Sequence, residues 1–314
     1  DQSWMQSRDR MACLASALQS TGIAEGDRVA ILSLNSDRYY EAIFGISWAG
    51  FCVVPLNTRW AVAENNYALG DSGTKVLLFD DNFTDQAHQL LDQLDGLTVA
   101  IHMGDDACPD WAQSYEALLA DNAPAAPSPR GNGDMAGIFY TGGTTGFPKG
   151  ATLSHHNILN NGYMVGESLG LTAQDRLVIP VPPYHCFGMV MGTLGCITHG
   201  TTMIYPNDGF DPLLTLTAVA EEQATGLYGV PTMFIAMLDH PQRAEFDLSR
   251  LRTGIMAGAT CPIEVMRRVI SEMHMSEVQI AYGLTETSPV SLQTGPDDDL
   301  GRRCPPVGRT QPEL

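Results

Sequence analysis

Apolar positions along the chain alternate between two spacings. Residues 8–20 place Met11, Leu14, Ala15 and Leu18 on one face, as an amphipathic helix does. After a turn at Glu25-Gly26-Asp27, residues 29–34 form a short apolar run that reads as a buried strand. Ser36 is suited to cap a helix that runs through Trp48 and is closed by Gly50. The alternation continues with strands at 51–56, 75–79 and 97–102 and helices at 62–69 and 84–94. Strands separated by single helices predict right-handed crossovers and a mostly parallel sheet.

Residues 120–134 (ADNAPAAPSPRGNGD) are rich in Pro, Gly and Ala and read as an exposed connector. Beyond it, 136–140 is a strand leading into a glycine loop, followed by a helix around 158–169. Further short strands fall at 177–181, 202–205, 226–229, 254–257 and 278–281. The class is α/β. Open sheets rarely exceed about ten strands, so two sheets are expected rather than one.

Composition narrows the function. A 44% hydrophobic, 17% charged chain of 314 residues is ordinary globular protein. No apolar run reaches the ~18 residues of a membrane span, and the richest stretches, 186–197 and 227–238, read as core. A net charge of −19 repels phosphate backbones and anionic lipid, which argues against nucleic-acid and membrane-surface partners. It does not exclude a nucleotide, which needs only local N–H groups, a cation or two and a metal.

The 7 cysteines form no CxxC pair, and His155, His156, His185 and Cys186 lack zinc-ligand spacing. A reducing, cytoplasmic setting with buried thiols is expected. The first ten residues have no apolar core of a signal peptide, and the last seven contain no terminating element, so part of a longer chain is expected.

Chemistry concentrates in two segments. Residues 137–150 (GIFYTGGTTGFPKG) carry a buried strand into glycines, threonines and a lysine. Glycine lets backbone N–H groups turn toward an anion, threonine hydroxyls add donors, and Lys149 supplies a mobile charge. Only two lysines, Lys75 and Lys149, occur in the chain, so Lys149 is an unlikely surface ornament. A Walker A loop is excluded, because Phe147 and Pro148 separate Gly146 from Lys149 and Gly150 stands where Ser/Thr would bind magnesium. The second segment, 281–287 (AYGLTET), offers Tyr282 as a flat face for a purine, Thr285 for a phosphate and Glu286 for magnesium. No GxGxxG follows the first strand, where Leu34-Asn35-Ser36 stands, so a dinucleotide oxidoreductase is excluded.

TGGTTGFPKG followed far downstream by AYGLTETSP resembles the adenylate-forming (AMP-binding) superfamily of acyl-CoA synthetases, peptide-synthetase adenylation domains and beetle luciferases. The resemblance covers essentially the whole chain, including Gly26-Asp27-Arg28-Val29-Ala30, Val54-Pro55-Leu56-Asn57, Pro183-Tyr184-His185 and Gly229-Val230-Pro231-Thr232. In detail it is nearest medium- and long-chain fatty acyl-CoA synthetases. It implies two mostly parallel sheets with flanking helices, in the layered arrangement of an incomplete large N-terminal domain over 1–314. The barrel subdomain and C-terminal domain of that family are expected to be absent. The expected lobes are 21–205, with the phosphate loop, and 1–20 plus 206–314, with the adenine and magnesium loop.

The same resemblance implies roles by position. Thr141, Gly142, Gly143, Thr144, Thr145, Gly146 and Lys149 would wrap the outer phosphates of ATP. Tyr282 and Gly283 would meet adenine, with Gly258, Ala259 and Thr260 lining the same slot, and the phosphate loop would face this turn across a shared cleft. Thr285 would hold the α-phosphate and Glu286 a Mg2+ ion. His185 would stand at the mouth of the acyl pocket, whereas on its residues alone it reads as a core histidine bonded to a carbonyl. Pocket walls would come from 186–192, 228–231 and 255–258. Thr260-Cys261-Pro262 departs from the more common Ala-Pro-Leu. The ribose aspartate and transition-state lysine of the family would lie beyond residue 314.

The implied reaction joins a carboxylic acid to ATP and then to CoA. A peptide-synthetase domain usually places an aspartate after the segment at His185, and here the stretch is Cys186-Phe187-Gly188-Met189-Val190-Met191. An unpartnered buried ammonium costs several kcal/mol, so amino acids are disfavoured. A medium- or long-chain fatty acid is expected, an aromatic acid is second, and the isolated chain is expected to bind more than it turns over. A homodimer stays open.

Overall fold

A computed structural model describes residues 2–142, 146–299 and 308–311. The chain divides into two compact units, residues 1–156 and 157–314.

The first unit opens with α1 (Trp4–Gln19), whose N-terminus is closed by a reciprocal box between Ser3 and Gln6. That cap starts the helix four residues ahead of the amphipathic stretch. It continues with β1 (Arg28–Leu32), α2 (Asp37–Trp48), β2 (Cys52–Pro55), α3 (Val62–Ser72) and β3 (Val76–Phe79). After these come α4 (Thr84–Gln93), β4 (Val99–His102), β5 (Gln113–Ser114), α5 (Tyr115–Asp121), β6 (Met135–Thr141) and β7 (Lys149–Ser154). Ser36 caps α2 as expected, accepting from the Tyr39 N–H. The sheet order is β5-β4-β3-β1-β2-β6-β7, parallel throughout except for the β6–β7 pair. Its apolar side packs Ala30, Leu32, Val54, Leu77 and Phe79 against Leu69 of α3 and Leu90 of α4.

The second unit comprises α6 (His155–Ser168, entering from the first), β8 (Arg176–Val178), a π-helix over Phe187–Leu194, α7 (Gly195–His199) and β9 (Thr202–Ile204). Then come α8 (Pro212–Glu221), β10 (Gly226–Gly229), α9 (Pro231–Leu238), β11 (Thr253–Ala257), α10 (Ile263–Glu272), β12 (Glu277–Gly283), β13 (Val290–Gln293) and β14 (Arg309–Thr310). The order is β14-β13-β12-β11-β10-β8-β9, and only the last two strands in sequence run antiparallel to their neighbours. The fold class is as expected: two mostly parallel sheets with flanking helices. Among the described residues no helix is long and apolar enough to cross a membrane.

The lobe boundaries need correction. The expected division at 205/206 assigned β8 and β9 to the first sheet, and both belong to the second, where β8 pairs with β10 and β9. Residues 1–20 likewise belong to the first unit. Arg10 of α1 pairs with the fully buried Glu41 of α2 at 2.6 Å, and Glu41 also accepts from the Tyr115 hydroxyl at 2.9 Å. A buried carboxylate needs such partners, and these tie α1 to α2 and α5. Strand pairing is a long-range choice that local periodicity does not report.

A second buried carboxylate fastens the central strands of the second sheet. Asp175, just before β8, accepts from Arg252 at 2.8 Å, the Thr225 hydroxyl at 2.7 Å and the Thr172 N–H at 2.9 Å. Arg252 and Thr225 head β11 and β10. Burial by itself raises the Asp175 pKa, but the hydrogen bonds from Arg252, Thr225 and Thr172 outweigh it and hold the carboxyl below its ordinary value. A depressed folded-state pKa stabilises fully above the unfolded value of ~3.9, and that stabilisation is lost as pH falls through the folded value. Asp175→Asn leaves Arg252 short of a buried partner and is therefore expected to lower unfolding stability at neutral pH by about 3 kcal/mol. Denaturant melts of both forms should converge as the medium is acidified below pH ~4; a pH-independent gap would exclude the carboxylate as its source.

Candidate functional site

The glycine–threonine segment is flanked by two paired strands. β6 and β7 run antiparallel, with Thr141 opposite Lys149 and the Thr141 hydroxyl 3.5 Å from the Lys149 carbonyl. The helix expected soon after the loop is preceded by this return strand. Its sequence, Lys149-Gly150-Ala151-Thr152-Leu153-Ser154, buries only Leu153 and so carries no apolar alternation. Gly142 and Gly146 are exposed with open space where a Cβ would stand, and Gly146 has φ +126°. Gly143, Thr144 and Thr145 lie outside the described residues.

Two aromatic anchors fix the stem. The Tyr140 hydroxyl donates to Asp71 of α3 at 2.7 Å, and exposed Phe147 stacks on Tyr67 of the same helix at 4.8 Å and 24°. Gly150 serves packing: a Cβ there would come within 2.8 Å of Ile138 and 3.2 Å of the Tyr140 ring. Lys149 is exposed, and no described residue pairs with it in an ion pair, whereas many of the arginines do pair. The braced stem therefore carries an exposed lysine, Lys149, whose charge is suited to phosphate oxygens.

The remaining candidates all belong to the second unit and follow the carboxyl ends of its parallel strands. His185 follows β8, Val230 follows β10, Gly258-Ala259-Thr260 follow β11, and Tyr282 through Glu286 close β12. Register keeps these ends level, with Gly229 opposite Met256 and Ala257 opposite Ala281. Ligands of open α/β sheets bind at such edges, where loops diverge and helix N-termini begin.

Tyr282 is 52% exposed where the four residues before it are buried, and Leu284 is exposed as well. The ladder slips between Tyr282 and Gly283, releasing the chain into a 3₁₀ turn over Thr285–Thr287. Thr287 braces that turn, its hydroxyl donating to the Pro289 carbonyl at 2.7 Å and accepting from the Leu284 N–H at 3.1 Å. Gly283 lies so close to the Pro289 carbonyl, 1.8 Å from an added Cβ, that no side chain fits. Thr285 is half-buried and Glu286 exposed.

The turn meets the segment after β8. The Cys186 thiol lies near enough to Thr285 and Glu286 for both to act on its pKa; burial, the main cause, pushes this thiol up to about 12. His185, its neighbour, keeps exposed ring surface, although the protein mass around it lowers its pKa and favours the neutral ring. The Phe187 N–H donates to Nδ1 at 3.1 Å, which places the proton of the neutral imidazole on Nε2. This differs from a core histidine bonded to a carbonyl. Gly188 permits the tight return, since a Cβ would lie 2.3 Å from the Pro182 carbonyl.

The expected wall segments converge as well. Phe187 packs on Tyr228 at 5.5 Å, the Tyr228 hydroxyl donates to the Met191 carbonyl at 3.3 Å, and Ile255 and Ala257 join the same buried cluster. Gly258, Ala259 and Thr260 are exposed, and the Cys261 thiol reaches the Met256 carbonyl at 3.3 Å, so the cysteine of the unusual Thr-Cys-Pro wording caps its own turn. A group of three or more ionisable metal ligands is absent among the described residues. Glu286 alone fits a magnesium ion that takes its other ligands from nucleotide phosphates and water.

Known proteins share this fold. The putative acyl-CoA synthetase YngI of Bacillus subtilis (strain 168) is 39% identical over 323 residues, covering 95% of this chain and 58% of its own. The mitochondrial medium-chain acyl-CoA ligase ACSF2 of Rattus norvegicus is 34% identical, covering 98% and 54%. The crystal structure of ATP-bound MatB from Rhodopseudomonas palustris superposes with a TM-score of 0.85 at 28% identity, covering 98% of this chain and 59% of that one. The chain thus spans about half the length of the curated relatives it matches. The AMP-binding enzyme family matches residues 1–314 from end to end, and the chain belongs to that family.

Proposed function

We propose that this chain is the nucleotide- and acid-binding part of an AMP-forming acid–thiol ligase that activates a medium- or long-chain fatty acid for transfer to CoA. The observation that supports the reading most is the gathering of His185, Tyr282, Thr285 and Glu286 at the carboxyl edge of one parallel sheet. The relatives' names, acyl-CoA synthetase and medium-chain acyl-CoA ligase, supply the reaction class.

In this reading the acid's carboxylate oxygen attacks the α-phosphorus of ATP and pyrophosphate departs. A thiolate then attacks the acyl carbonyl, and AMP leaves with the electron pair. Thr141, Gly142, Gly146 and Lys149 hold the outer phosphates, together with Gly143, Thr144 and Thr145. Tyr282 stacks on adenine beside Gly283, Gly258, Ala259 and Thr260, and Thr285 donates to the α-phosphate. A magnesium ion on Glu286 would neutralise phosphate charge. His185 donates Nε2–H to the acid's carboxylate without carrying a charge of its own.

The acid is apolar for a physical reason. Cys186, Phe187, Met189, Val190 and Met191 are all buried, and no carboxylate stands among them to pair a substrate ammonium. Methionine side chains adapt to a flexible acyl chain. The 314 residues are expected to bind ATP and acid more than they turn them over. Thermal shift with ATP, magnesium and acids of increasing chain length tests the substrate. The midpoint is expected to rise with chain length into the medium range, and a rise only with aromatic acids would replace the fatty acid.

Two substitutions test the nucleotide assignment by calorimetric titration. Lys149→Ala should weaken ATP by about 10-fold or more and leave AMP nearly unchanged, as loss of a charge-assisted bond to the outer phosphates requires. Equal losses for both nucleotides would remove Lys149 from that place. Tyr282→Ala should weaken AMP and ATP alike, by roughly 5- to 100-fold for a lost base–aromatic stack. Undiminished AMP affinity would rule out stacking.

A further inference from the structure

The turn that carries Thr285 and Glu286 is free of the sheet ladder, yet its two polar side chains must stand at fixed positions to act on a phosphate. One end continues from β12. The other end is held by a residue 129 positions earlier in sequence. The Asn161 side chain, 2% exposed on α6, donates from Nδ2 to the Val290 carbonyl at 2.8 Å. Its Oδ1 accepts from the Val290 N–H at 3.1 Å. An asparagine amide presents donor and acceptor side by side, so it pairs with one backbone residue as a neighbouring strand would.

This bracket lies immediately beyond the turn. Pro289, the residue before Val290, offers no N–H, and its carbonyl is taken by the Thr287 hydroxyl. Gly283 closes against the same carbonyl. The far end of the turn therefore depends on Val290, and Val290 is bolted to α6 through Asn161. From the other side, Cys186 lies near Thr285.

We infer that Asn161 is a positioning residue for the phosphate-binding turn: its buried two-bond bracket on Val290 sets where Thr285 and Glu286 stand relative to a bound nucleotide. The inference rests on the proposed place of Thr285 at the α-phosphate. Val290 also pairs with Gly283 across the ladder, but Tyr282 keeps its own pairing with Leu292 and Ala281 its pairing with Ala257, so the stack has support that does not pass through Asn161. Loss of the bracket consequently separates two ligands. AMP, which needs the turn, weakens; adenosine, which needs only the stack, does not.

The test is titration of the 314-residue chain and two variants with AMP and with adenosine, alongside thermal unfolding. Asn161→Leu removes both bonds at similar size. Asn161→Asp keeps the acceptor for the Val290 N–H, lacks the donor, and keeps the fold measurable should leucine fail. The preference for AMP over adenosine is expected to drop by about 10-fold in the folded variants, the size of a lost bond to a charged group. Unchanged preference in either folded variant overturns the role. Equal weakening of both ligands also overturns it, since Asn161 would then be scaffold for the whole site. A parent chain with no preference for AMP would instead remove Thr285 from the α-phosphate, and the inference with it.

Discussion

The parallel register of β10, β11 and β12 is the constraint on which the candidate site depends. With Gly229 level with Met256 and Ala257 level with Ala281, three strands end together and their loops leave at one edge. The strands reach that edge fully buried on both faces along most of their length, as Leu227, Tyr228, Ile255, Met256, Val278 and Ile280 show. A shift by one residue would turn each of these side chains to the wrong face. Asp175 prevents such a slip at the opposite end, where its bonds to Thr225 and Arg252 join the heads of β10 and β11.

The site combines groups that act through neutral donors with few full charges. This suits a chain whose net charge is −19. Salt screens that field beyond about 10 Å, so oriented N–H and hydroxyl groups govern what a short-range site can hold. His185 has its Nδ1 committed to the Phe187 N–H, which places the proton of the neutral ring on Nε2. Most arginines serve structure. Arg10, Arg38 and Arg252 are each shared between two carboxylates.

How far the sequence reveals this depends on the range of the forces involved. Helices α1 to α4 and the strands β1 to β4 were legible because burial writes local periodicity, and in the second unit β10 falls at its expected residues and β11 starts one residue earlier than read. β7 was not, because an edge strand that buries only Leu153 has no apolar pattern to display. The stretch after His185 reads as core and is core, yet its π-helical form is hidden, since every side chain in it is buried and no face is polar. The two-residue strands β5 and β14 are too short for any pattern. The site residues were visible as motifs. Their supports, Asn161, Cys186, Tyr67 and Asp71, were not, since each acts on a partner distant in sequence or sits in an ordinary helix.

The hairpin that bears Lys149 also decides what the first sheet shows to other molecules. β7 is an outer strand, and an outer strand with open N–H and C=O groups invites a foreign chain to extend the sheet. Here that strand carries a lysine, a serine and two threonine-or-glycine positions in place of an apolar face, and the opposite border is only Gln113–Ser114. The Gln113–Ser114 border lacks the length, and β7 the apolar face, for an incoming strand to zip onto. The same few residues that lend the loop its cation thus also discourage fibrous association through this sheet.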